Sequence, residues 1–212
     1  MAAIYLLGDS HTQLLGPRFK SRAASLGHAL TFESFPGQPT KLVHQKASIP
    51  SGQSVVLLSI GGNDRGDQSA ARAALIAAVK LRNPGARLVW FGPFDASQHA
   101  WAGKDHDEQA EAQRKQLPGL GVEWIDTRPI SKMDHAPDNV HYTGTGYSNI
   151  VDALMPVVKR ALAGTAVGAP TNGSGTKGTS NTAAETTTGG GGGLLLIAAA
   201  AGALWLLLRR QS

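Results

Sequence analysis

The sequence predicts an α/β domain over residues 1–163, built on a parallel sheet with helices covering both faces. Short apolar runs alternate with amphipathic or Ala-rich stretches along this region, the order that successive βα units produce. The run Ser54–Ile60 is apolar almost throughout rather than at every second position, which marks a strand buried on both sides. Helix-ending turns such as Asn83-Pro84-Gly85 punctuate the pattern.

Taken in order, Ile4–Leu7 reads as the first strand and Gln13–Leu26 as the helix after it. His28–Phe35 is the second strand and Ser54–Ile60 the third. Gln68–Leu81 has helical spacing, Arg87–Phe91 is the fourth strand, and Asp105–Gln116 is a polar helix. Gly121–Asp126 gives a fifth strand and Gly146–Leu162 a last helix. In sheets of this kind ligands bind beyond the carboxyl ends of the strands.

The 212 residues allow one ordinary domain plus an appendage. Apolar residues make up 42% and charged residues 17%, enough to bury a core. The net charge of +5 invites a nucleic-acid reading, but Arg18, Lys20, Arg22, Lys41, Lys46, Arg82 and Arg87 are scattered. A phosphate-tracking surface clusters its basic residues with aromatics between them, so no nucleic-acid partner is expected. Cysteine is absent, which removes disulfides, thiolate metal sites and cysteine nucleophiles together. The segment Met1–Leu7 has no basic flank and its apolar run stops at Gly8-Asp9, too soon for a signal-peptide core.

From Gly164 the composition changes. Residues 164–193 are mostly Gly, Thr, Ser, Ala and Asn, too poor in large apolar side chains to offset ordering entropy, and read as a flexible linker. Leu194–Leu208 is an uninterrupted apolar stretch, followed by a basic tail, Arg209-Arg210 and residues 211–212. At 1.5 Å per residue the stretch covers about 22 Å against a hydrocarbon core of about 30 Å, and the glycines before it bring it near full thickness. The expectation is a single C-terminal transmembrane helix, hence a membrane-bound protein. A glycine run, an apolar stretch and a basic pair resemble bacterial C-terminal sorting tails. Arg209-Arg210 favours a cytoplasmic tail with the domain outside; the lack of an N-terminal signal favours a tail anchor with the domain inside; a virion envelope is a third setting.

Four short motifs carry the chemistry. Gly8-Asp9-Ser10 falls where the first strand ends, so its serine faces the ligand crevice; the tripeptide also suits a helix cap. Asp138-Asn139-Val140-His141 precedes the last helix, and an Asp three residues before a His can hold the imidazole in one tautomer. Gly61-Gly62-Asn63-Asp64 ends the third strand: the glycines let the backbone approach a ligand and the Asn63 amide can donate to an oxyanion, although an ordinary Asn/Asp turn also fits. Gly37, in Phe35-Pro36-Gly37-Gln38-Pro39, is a plausible backbone donor in what is otherwise a Pro-Gly turn.

The order of these motifs resembles the SGNH (GDSL-like) hydrolase family, whose four marker residues are a serine, a glycine, an asparagine and a histidine in separate blocks. Ser10, Gly37, Asn63 and His141 take those places, and the resemblance spans residues 1–163. It implies a flavodoxin-like three-layer α/β/α sandwich with a parallel sheet of about five strands. It implies acyl transfer: Ser10 as nucleophile, His141 as its base, Asp138 orienting the imidazole, and an oxyanion hole from the Ser10 and Gly37 N–H groups with the Asn63 side chain. Neither a metal nor an organic cofactor is called for. The expected activity is serine esterase, acting on O-acetyl groups of an envelope polysaccharide or on a lipid ester. An acyltransferase with the same triad, or a non-catalytic carbohydrate-binding or structural module, are the alternatives.

Other residues compete for roles. Asp105-His106-Asp107-Glu108 has the composition of a metal site, but acids also favour a helix N-terminus, and that is the reading preferred. Asp134-His135 offers a rival acid and base whose adjacent spacing makes mutual hydrogen bonding awkward. His11 either lines the pocket or merely begins a helix, and Trp101 either covers a substrate or packs on the sheet edge. His28, His44 and His99 read as surface residues. The loops Phe94–Gly103 and Ser131–Pro137 carry no readable specificity code.

Overall fold

The computed structural model describes residues 1–99, 102–132 and 134–164. Five strands form one parallel sheet in the order β2-β1-β3-β4-β5. They are β1 (Ala3–Gly8), β2 (Ala29–Ser34), β3 (Val55–Ser59), β4 (Arg87–Phe91) and β5 (Glu123–Ile125). The connecting helices are α1 (Ser10–Ser25), α2 (Thr40–Lys46), α3 (Ser69–Arg82), α4 (Ala102–Gln116) and α5 (Gly144–Leu162), with a 3₁₀ turn at Pro118–Leu120. Every strand stretch expected from the sequence is a strand, with ends differing by one or two residues.

The strands alternate sides as the pleat requires. Ile4, Leu6, Val55, Leu57, Val89 and Phe91 meet Leu15 and Phe19 of α1 and Tyr147, Ile150, Val151 and Leu154 of α5. Tyr5, Leu7, Val56, Leu58, Leu88 and Trp90 meet Val43 of α2 and Leu75, Ile76 and Val79 of α3. Each Leu or Val buried in this way contributes about 1.5–3 kcal/mol relative to exposure, and the two cores together make three layers.

The chain leaves β1 for β2 on one side and crosses to β3 on the other, so the topology reverses between β1 and β3. A crevice opens beyond the carboxyl ends of strands at such a point. Gly8 and Ser59 are paired there, Asp9 N donates to Ser59 O, and Phe35 N donates to Gly8 O. A Cβ at Gly8 would overlap Thr12 Oγ1 and Ser59 O, so only glycine lets β1 and α1 join this closely.

Three helices depart most from the sequence reading. Helix α1 begins at Ser10 rather than Gln13, because the Asp9 side chain caps the His11 N–H and Thr12 is buried despite its polarity. Helix α2 was not expected; it has one turn of apolar signal, and Pro39 supplies no side-chain cap. Helix α4 begins at Ala102, and its polar face is buried rather than solvated.

Of the expected C-terminal segments, the linker beyond Gly164, the apolar stretch 194–208 and the basic tail 209–212 lie outside the described residues. Among the described residues no helix is long and apolar enough to cross a membrane.

Candidate active site

Ser10 is the first residue of α1, directly after the turn that leaves β1. Asp9, buried at 2% exposure, accepts from the His11 N–H at 3.2 Å and so fixes the start of the helix. Burial pushes the Asp9 carboxyl up to about 7, against the backbone N–H groups of His11 and Gly62, which favour its ionised form.

His141 comes from the loop before α5. Its Nε2 lies 3.0 Å from Ser10 Oγ, and its Nδ1 lies 2.6 Å from Asp138 Oδ2. The other Asp138 oxygen accepts from the Val140 and His141 N–H groups at 3.0 and 2.9 Å. Asp138 thereby closes a tight turn on itself, with Asn139 in the left-handed region at φ 55°, a conformation that asparagine tolerates. Burial raises the Asp138 carboxyl, but the bonds from the His141 ring and the two N–H groups outweigh it and hold the group well below the usual carboxylate range. Ser10, His141 and Asp138 thus form a continuous hydrogen-bonded chain from a helix start to a loop 131 residues later.

Gly37 and Asn63 occupy the two neighbouring strand ends. Gly37 sits at φ 70° in the turn after β2, closed by Gln38 N donating to Phe35 O at 3.1 Å. Asn63 is half-buried in the turn after β3, which closes with Asp64 N donating to Gly61 O at 3.2 Å. The two turns are joined by a fully buried carboxylate: Asp64 accepts from Thr40 N at 2.7 Å and from Thr40 Oγ1 at 2.8 Å. Arg72 Nη1 of α3, also buried, lies 3.6 Å from Asp64 Oδ2.

A row of polar side chains on α4, buried at His106, Gln109 and Gln113 and half-buried at Gln116, holds the same loop and the start of α3 from behind. His106 Nε2 faces Gly62 O at 3.0 Å and its Nδ1 faces Phe94 O at 2.7 Å. Gln109 donates to Gly66 O, Gln113 to Ile60 O and Gln116 to Ser69 O, at 3.0, 3.3 and 2.7 Å. Arg72 donates in turn to Gln109 and Gln116. His106, Gln109, Gln113 and Gln116 recur at three- and four-residue intervals, so they share one helix face. That periodicity was visible in the sequence, but an all-polar stripe reads as a solvated face. Burial lowers the affinity of His106 for a proton, while its two carbonyl partners raise it.

The remaining candidates have definite places. His11 is buried, with Nδ1 3.0 Å from the Tyr147 hydroxyl and its ring centroid 5.1 Å from that of His141. Burial, then the neighbouring His141 and His106, hold His11 well below the ordinary histidine range, so it packs beneath His141 as a neutral ring. His135 does not pair with Asp134: its Nε2 lies 3.2 Å from Asp95 Oδ2, and Asp134 Oδ2 accepts from Asn149. The His135 ring packs at a 35° tilt against Tyr142, 4.6 Å between centroids, and the Tyr142 hydroxyl donates to Asp95 O at 2.6 Å. Asp105 and Asp107 turn outward to Arg65 and Arg128, apart from the buried His106. Trp101 lies outside the described residues.

No curated protein matches the chain in sequence. Solved structures resemble it in fold. A phospholipase A1 from Streptomyces albidoflavus shares 16% identity over 72% of this chain and 98% of its own, at a TM-score of 0.59. A carbohydrate esterase of family 3 from Talaromyces cellulolyticus shares 16% over 78% and 100%, at 0.59. A catalytic mutant of an acetylxylan esterase from Geobacillus stearothermophilus shares 11% over 73% and 93%, at 0.59. Identities this low speak for the fold alone. The sequence of residues 6–148, from the middle of β1 into α5 and including Ser10, Asn63 and His141, matches a family of ester-cleaving enzymes. The chain belongs to the GDSL-like Lipase/Acylhydrolase family and is a carboxylic ester hydrolase.

Proposed function

We propose that the chain is a serine esterase working through Ser10, His141 and Asp138. The observation that carries this reading is the hydrogen-bonded chain Asp138–His141–Ser10, at 2.6 and 3.0 Å. Ser10 Oγ attacks the ester carbonyl carbon while its proton passes to His141 Nε2. Asp138 accepts from Nδ1–H and stabilises the imidazolium that forms. The Ser10 and Gly37 N–H groups and the Asn63 amide bind the oxyanion. Collapse of the tetrahedral intermediate breaks the ester C–O bond, and His141 returns the proton to the leaving alcohol. Water, deprotonated by His141, then attacks the acyl-enzyme and frees the acid and Ser10.

The substrate proposed is an O-acetyl group on a polysaccharide or a lipid ester, since the fold relatives include two carbohydrate-directed esterases and a phospholipase. We propose membrane attachment through Leu194–Leu208, on the strength of its uninterrupted apolar sequence. Vesicle flotation of the full-length chain, with Leu195→Lys and Leu206→Lys together as control, tests the attachment. Loss of flotation in the control supports it, and flotation unchanged by both charges overturns it.

Hydrolysis of p-nitrophenyl acetate by the full-length chain and its Ser10→Ala variant tests the chemistry. Activity lost in Ser10→Ala supports the assignment; activity that survives removes Ser10 as nucleophile.

A further inference from the structure

We propose that Asp64 and Thr40 are positioning residues that set the distance between the two oxyanion donors, Gly37 and Asn63; the inference rests on the esterase reading above. Asp64 directly follows Asn63, and Thr40 lies three residues after Gly37. Both Asp64 oxygens are engaged by the one threonine, Oδ1 by its N–H at 2.7 Å and Oδ2 by its hydroxyl at 2.8 Å. A single bond would let the loops swivel about it. Two bonds from one residue to one carboxylate fix orientation as well as separation.

Little slack lies between this tie and the donors. On one side, Pro39 at φ −72° and the Gln38 N to Phe35 O bond stiffen the path from Thr40 back to Gly37. On the other, the Asp64 N to Gly61 O bond closes the turn that presents Asn63. The same carboxylate satisfies the first N–H of α2, which Pro39 does not cap. The cap therefore comes from a loop 24 residues away rather than from a local Ser or Asp, and the start of α2 is coupled to the Asn63 turn. Burying a carboxylate is costly, and Arg72 supplies the opposing charge.

Asp64→Asn would strand the Arg72 charge and endanger folding, so Thr40 carries the test. In the full-length chain, Thr40→Val removes the hydroxyl bond but keeps the shape and the N–H bond; Thr40→Ser restores the hydroxyl. With p-nitrophenyl acetate, Thr40→Val should lower kcat about 10–100-fold with KM changed less than about twofold. Thr40→Ser should recover most of the loss. Combined with Asn63→Ala, Thr40→Val should cost less than it does alone, because the two act through one donor. In ¹⁵N NMR spectra, the Gly37 N–H and Asn63 side-chain signals should broaden in Thr40→Val.

Unchanged kcat in Thr40→Val, where Asn63→Ala is impaired, overturns the positioning role and leaves the esterase reading standing. Unchanged kcat in Asn63→Ala removes the donor reading instead. Broadening of both signals by Thr40→Val then still supports the tie, and unaltered signals overturn it.

Discussion

Asp138 holds His141 at two points: one carboxylate oxygen accepts from the His141 backbone N–H at 2.9 Å and the other from its ring Nδ1 at 2.6 Å. The spacing of three residues makes this possible, because the turn Asp138–His141 brings both groups of His141 onto one carboxylate. Orientation of the ring, and with it the approach of Nε2 to Ser10 Oγ, is settled within four consecutive residues.

Asp138→Asn should therefore disable turnover without unfolding the loop. The asparagine oxygen can still accept from the His141 N–H, but its amide nitrogen then faces Nδ1 and favours the tautomer with the proton on Nε2. That imidazole cannot take the Ser10 proton. We expect kcat to fall by about 10³–10⁴-fold with little change in melting temperature, read from ester hydrolysis and thermal unfolding of the same preparations. A loss below tenfold would remove the carboxylate from the mechanism.

If Asn63 is the oxyanion donor proposed above, Asn63→Ala should lower kcat by about 10²–10³-fold while KM barely moves, because that bond would form to an oxygen whose charge exists only in the transition state. A change mainly in KM would place Asn63 in substrate binding instead.

The centre of the sheet was legible because β1, β3 and β4 are short apolar runs, such as Val55–Ser59, whose own side chains fill the cores on both faces. The Asp138–His141 bond was foreseeable because an Asp three residues before a His can reach its ring within one turn, whereas the meeting of that ring with Ser10 was expected only from the order of the motifs and the family they resemble. What the sequence hid was polarity satisfied at a distance. His106, Gln109 and Gln113 of α4 are buried, and with the half-buried Gln116 they bond backbone carbonyls more than forty residues away, where no hydropathy pattern points. The Asp95–His135 pair, 40 residues apart, and the capping of α2 by Asp64 were hidden in the same way.

His106→Leu should destabilise the fold. Burial favours the neutral ring, which donates to one of the two carbonyls it faces, Gly62 O or Phe94 O, and leaving that group unsatisfied costs about 1–3 kcal/mol. Denaturant unfolding should show a lower midpoint with an unchanged slope. The Gly62 carbonyl adjoins Asn63, so His106→Asn, which keeps one donor, should retain more stability and more activity than His106→Leu. Equal stability in the leucine variant and the native chain would mean that the ring makes neither bond in solution.

Asp9 gives the stability a pH dependence whose sign can be worked out. Burial raises its folded carboxyl to about 7 from an ordinary 3.8, so between those values the folded state binds the proton that the unfolded chain has released. Stability contributed by this group is full below about 4, declines as pH rises toward 7, and is absent above, a difference on the order of 4 kcal/mol at most. Asp9→Asn keeps an oxygen for the His11 N–H but cannot ionise. Denaturant unfolding of both chains from pH 4.5 to 8 should therefore show the native protein losing stability relative to Asp9→Asn across this window. Parallel curves would mean that Asp9 ionises in the folded protein as freely as in water, and that the His11 and Gly62 N–H groups compensate its burial in full.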